Sequence, residues 1–130
     1  MIKAGDIILV LSYKDVNGQM VSAHPLVVVN TKGGEIEGLD FDLIGCFASS
    51  FKSASHKSSS LKYDYNIAVT PADGVAKEGF IKANVIHYFK QNKINFVHLG
   101  ELSEDVYNTL MDAIMRLSDE GKLSTNKNNL

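Results

Sequence analysis

The chain is short of the residues that several common chemistries require. Among its 130 residues there is one cysteine, Cys46, so no disulfide can form within it. That thiol reads as a small core side chain, and its isolation points to a reducing, cytoplasmic setting. Arginine is equally scarce: Arg116 is the only one among thirteen cations. Lysine meets a phosphate as a point charge, without the two-pronged grip of a guanidinium. The formal net charge of −2 leaves no cation surplus with which to coat a polyanion, although a local basic site stays open. No apolar run approaches the roughly 20 residues that span a bilayer. Acidic and polar residues enter from Asp6 onward, which disagrees with a secretory leader. Lys32-Gly33-Gly34 lacks the spacing and the following helix of a phosphate loop. No two of the four histidines stand three or four residues apart, and a single cysteine makes no zinc pattern. Neither a metal nor a cofactor is expected, and no Ser-His-Asp or Cys-His arrangement can be read.

What is present reads as one domain over residues 1–121. The 45% hydrophobic and 22% charged fractions suit an ordinary globular core. Residues 6–11 (DIILVL) are short and apolar, as in a buried strand. Asn17-Gly18 predicts a hairpin turn with two positive φ angles. A β-branched strand follows over residues 20–30, interrupted by Pro25, whose missing amide must avoid a ladder partner or mark a bulge. Further strands are expected at 41–47, 61–70 and 80–89. In the last of these, Lys82 and Asn84 would share the face opposite Ile81, Ala83 and Val85. The Ser/Lys-rich stretch 48–60 has no hydrophobic period and reads as a mobile loop. One helix is expected, from Glu104 to about Asp119. Ser103 caps it, Glu104 and Asp105 favour its positive end, and Leu102 and Tyr107 take the staple positions. Val106, Leu110, Ala113, Ile114 and Leu117 form its apolar stripe, and Gly121 stops it. Residues 122–130 are polar and expected to be disordered. The outcome is a mainly β, α+β fold: a small sheet or barrel with a C-terminal amphipathic helix.

The order of these features resembles the MazF/PemK/Kid toxins of toxin–antitoxin pairs. The residues that carry it are the Gly5-Asp6-Ile7 strand, Pro25-Leu26-Val27-Val28-Val29, a strand ending in small hydroxyl residues, Gly79-Phe80-Ile81, and the closing helix. The resemblance runs from Lys3 to about Leu117. It implies an SH3-like β-barrel, a homodimer, a cognate antitoxin protein, and metal-independent cleavage of single-stranded RNA. The family usually places arginine before the proline of the second strand, where this chain has His24. The family's hydroxyl falls at Ala48 or Ser49, depending on one residue of register. Where the Kid-like branch continues with arginine and then a catalytic aspartate, this chain has Lys82 and Asn84.

Cleaving RNA without a metal requires a base for the 2′-hydroxyl, an acid for the leaving 5′-oxygen, and donors for the charge on phosphorus. Histidine can serve as acid or base near neutral pH, lysine can stabilise the phosphorane, and asparagine can only orient or donate. The resemblance therefore marks His24, Ser49, Lys82 and Asn84 as catalytic candidates, with His56 or His87 as a further proton-transfer partner. Phe51, Lys52, His56 and Lys57 could hold single-stranded RNA by charge and stacking. Each also has a structural use. His24 begins a strand, Ser49 opens a loop, and Lys82 and Asn84 would lie on a solvated edge. His87 and His98 stand in apolar company, as core or edge histidines do. A second reading keeps the barrel without catalysis, as a protein- or RNA-binding module that inhibits by contact, as the CcdB toxins do with gyrase. A third is a small housekeeping barrel of unrelated descent.

Overall fold

The first two strands show how local chemistry sets the framework. A computed structural model describes residues 1–130. In it β1 (Asp6–Lys14) and β2 (Met20–Asn30) pair antiparallel, with Leu9 opposite Pro25 and Val10 opposite His24. Their turn differs from the expected one. Asp15 Oδ1 accepts the amides of Asn17 (2.9 Å) and Gln19 (3.0 Å), and only Gly18 is left-handed, at φ 77°. The aspartate side chain holds the turn that a second positive φ would otherwise have made.

A two-stranded ribbon, β3 (Gly34–Ile36) and β4 (Leu39–Phe41), precedes β5 (Leu43–Ser50) and the short helix α1 (Ala54–Ser60). Then come β6 (Asn66–Val69), β7 (Gly79–Lys82), β8 (Val85–Phe89) and β9 (Phe96–Glu101). The long helix α2 (Glu104–Asp119) and a last strand, β10 (Ser124–Asn126), complete the chain. The architecture is mainly β with two helices, the expected α+β class. The main sheet runs β10-β8-β5-β2-β1-β9, with β7 between β5 and β6.

Alternation along the strands builds two cores. Ile7, Val27, Val29, Cys46 and Ala48 face one side, where Leu110, Ala113 and Leu117 of α2 cover them. Ile8, Val10, Leu26, Val28 and Phe47 face the other, together with Phe89 and Tyr13. Cys46 is fully buried, and burial pushes its thiol up to about 12. Helix α2 has the expected bounds and stripe, but Ser103 Oγ donates to Asp73 Oδ1 (3.3 Å) instead of capping the helix.

Three other expectations are corrected. Residues 48–60 are not a loop: β5 continues to Ser50, and Ser53 Oγ caps α1 by accepting the amide of His56 (3.1 Å). Residues 80–89 are two strands, because the chain turns at Ala83-Asn84. The 122–130 segment carries β10, which pairs parallel to β8. Asn126, buried there, donates to the Lys14 carbonyl (2.8 Å), and Asn129 brackets the Lys14 backbone from both sides (2.7 and 2.9 Å). Asparagine amides thus add to the one apolar contact of the tail, Leu123 against the α2-side core. No helix is long and apolar enough to cross a membrane.

Candidate functional site

β5 changes partners along its length. Residues 44–47 pair with β2, whereas Ala48, Ser49 and Ser50 pair with Ile81, Phe80 and Gly79 of β7. The β2–β5 ladder ends at Leu26 opposite Phe47, one residue after Pro25. A proline has no amide to extend such a ladder. Beyond it the two strands separate, and a groove of about 720 Å³ opens between them.

His24 and Pro25 form one bank of this groove, and Ser49, Ser50 and Phe80 another. Lys82, Lys52 and His56 also line it, as does Lys77, in the stretch between β6 and β7. The floor is apolar, with Ile7, Val69 and Val75. Of its 17 lining residues three are lysines and two are histidines, and none is a carboxylate. A chain of net charge −2 therefore keeps one concavity free of acid. None of Lys52, Lys77 and Lys82 enters an ion pair, since the lysine ion pairs involve Lys3, Lys57, Lys90, Lys122 and Lys127.

The two imidazoles are held by backbone. His24 Nδ1 donates to the Ser22 carbonyl at 2.8 Å. His56 Nδ1 accepts the amide of Lys52 at 3.0 Å, and its ring stands edge-on to Phe80 with centroids 5.9 Å apart. Ala48 is buried and Ser49 half-buried; both line the groove, and of the two only Ser49 brings a hydroxyl to it.

Of the residues singled out from the sequence, His24, Ser49, Lys82, Lys52 and His56 line this one concavity. Phe51 and Lys57 line a shallower depression beside it that shares Lys52 and Lys77. There Phe51 stacks on Phe80 (5.4 Å), and the Lys57 ammonium is taken by Glu78. Asn84 lies outside both. The Ala83 amide is drawn to the Tyr65 carbonyl (2.9 Å) and the Asn84 carbonyl accepts the Ser124 amide (2.8 Å), so the strict alternation that would align Asn84 with Lys82 is broken. His87 is buried instead in the aromatic core against Phe47 (4.6 Å), its Nδ1 accepting from Asn126 (3.0 Å). His98 lies on an edge strand, 3.5 Å from Asp6 Oδ2. Lys77, Ser50 and Phe80 were missed from the sequence. Lys77 comes from a stretch without periodicity, where no pattern tells which way a side chain faces. No three His, Cys, Asp or Glu side chains converge on a point.

No protein-family model matches the chain, and no curated protein matches it in sequence. Its fold has counterparts among solved structures. Two crystal forms of MazE–MazF from Deinococcus radiodurans superpose with TM-scores of 0.58 and 0.60 at 14% identity. The matches cover 90% and 91% of this chain and 94% and 96% of the corresponding MazE–MazF chains. The chain has a MazF-like fold.

Proposed function

We propose that the protein is a metal-independent endoribonuclease, the toxin of a toxin–antitoxin pair, that cuts single-stranded RNA in the groove that opens between β2 and β5. The observation that carries this reading is the lining: lysines and histidines with no carboxylate, on a molecule whose net charge is negative. A polyanion is drawn to such a concavity and repelled elsewhere. Its apolar floor and Phe80 suit an unstacked base. The MazE–MazF neighbours support a protein antitoxin as partner, and the homodimer implied by the sequence resemblance is part of the same proposal.

In the reaction, the RNA 2′-oxygen attacks the adjacent phosphorus as its proton passes to His24 Nε2. The P–O5′ bond breaks, and the leaving oxygen takes a proton from the Lys82 ammonium. The products are a 2′,3′-cyclic phosphate and a 5′-hydroxyl. His24 is oriented for its part because its Nδ1–H is tied to the Ser22 carbonyl, which leaves Nε2 bare and steadies the imidazolium that forms. Ser49 donates a hydrogen bond to a non-bridging oxygen.

The test is incubation of the folded protein with a long RNA in excess chelator. Fragments with cyclic phosphate ends are expected, and His24→Ala should slow their release by about 100-fold or more. RNA left intact at micromolar protein would sink the nuclease reading. Recovery of one stoichiometric protein partner by such an inactive chain would favour inhibition by contact.

A further inference from the structure

His24 and His56 look equivalent in the sequence but are held in opposite senses by the backbone. A carbonyl oxygen can only accept, so the 2.8 Å contact to Ser22 requires a proton on His24 Nδ1. A backbone amide can only donate, so the 3.0 Å contact from Lys52 requires a bare His56 Nδ1. A neutral His56 therefore carries its proton on Nε2. Both rings line the same groove.

The two also respond differently to gaining a proton. Protonated His24 keeps its bond to Ser22 and strengthens it. Protonating His56 at Nδ1 would set two N–H groups against each other and break the contact with Lys52. The ring is fixed in this state from several sides. His56 is the third residue of α1, its own amide is bonded to Ser53 Oγ (3.1 Å), and its side chain reaches back past the cap to the Lys52 amide.

We propose that His56 is an N–H donor of set tautomer, whose Nε2–H binds the oxygen on which charge develops at phosphorus, and that proton transfer is left to His24. This rests on the nuclease reading above and divides the labour within it: His24 moves a proton, and His56 only presents one.

Two measurements on the full chain test this. Long-range 1H–15N spectra of histidine-labelled protein in mildly alkaline buffer should show His24 as the Nδ1–H tautomer and His56 as the Nε2–H tautomer. The same tautomer at both positions overturns the proposal. Cleavage assays use His56→Gln, which keeps an N–H near the Nε2 position, and His56→Ala, which does not. Glutamine should hold the rate within about tenfold of the natural chain, while alanine costs about 100-fold, the scale for losing one charge-stabilising donor. An RNA with sulfur at the bridging 5′ position, whose thiolate leaves without a proton, should restore Lys82→Ala but not His56→Ala. Glutamine as inactive as alanine overturns the fixed donor, and sulfur rescue of both would make His56 the acid. If the natural chain cuts no RNA, the nuclease reading fails and this role falls with it. If it cuts and only the glutamine result fails, the nuclease reading stands alone.

Discussion

His87 is a titratable side chain whose chemistry lies well outside its ordinary range, for a reason visible on every side. It lies between Phe47 and Phe89, with Tyr13 edge-on at 6.0 Å and Asn126 donating to Nδ1. Burial, with the Lys82 charge adding to it, pushes the imidazole down to about 4. In the unfolded chain the same group takes up a proton near its usual pKa of about 6.5. Between those values the unfolded state binds more protons, so stability falls as pH drops from 6.5 toward 4. The loss is complete below the folded value and amounts to about 3 kcal/mol. Urea midpoints measured across this range should fall in the natural chain and fall less in His87→Asn, whose Oδ1 stands near the Nδ1 position as an acceptor for Asn126 but does not titrate. Equal slopes would assign the acid sensitivity to another group. That His87 is a core histidine was legible because its neighbours alternate apolar on a strand. That His56 is held by an amide was not, because a local cap leaves no period in the sequence.

At the scale of elements, the groove depends on how closely β7 approaches β5. A Cβ placed on Gly79 would lie 2.0 Å from the Ser49 carbonyl oxygen, a backbone atom that cannot swing away. Gly79→Ala must therefore push the strands apart just where Ser49 and Ser50 line the groove. It should destabilise the fold by roughly 1–3 kcal/mol. Cleavage should fall further than the unfolded fraction explains, as urea melts and assays at a temperature where the variant stays folded would show. Full activity in the folded variant would mean that the β5–β7 register does not position the site. The sequence displayed β1, β2 and α2 plainly, since each has an apolar period strong enough to settle its own conformation. It concealed α1 and β10, whose residues are polar. The first is held by the Ser53 cap, and the second by asparagine amides reaching the Lys14 backbone more than a hundred positions away. The division of 80–89 was hidden for a related reason: Ala83 continues the apolar alternation through a turn fixed by Tyr65 and Ser124.

The whole molecule sets a net charge of −2 against a groove holding Lys52, Lys77 and Lys82. Sequence totals could not show this separation, because the lysines come from three different segments and the acids are kept elsewhere by the fold. It has a measurable consequence. Each lysine that neutralises a phosphate of single-stranded RNA releases condensed counterions, worth a slope of about −0.7 in log affinity against log salt. Three such contacts give a slope of about −2 for a cleavage-resistant RNA carrying 2′-O-methyl groups. Lys77→Gln should make the slope shallower by about 0.7 and weaken binding at every salt concentration. Lys57→Gln should change it much less, because that ammonium is already engaged by Glu78 beside the groove. A slope near zero, or one that Lys57→Gln reduces as much as Lys77→Gln, would place the RNA on another surface. The ordering of the two variants matters more than the absolute slope, because only the position of each lysine relative to the groove distinguishes them.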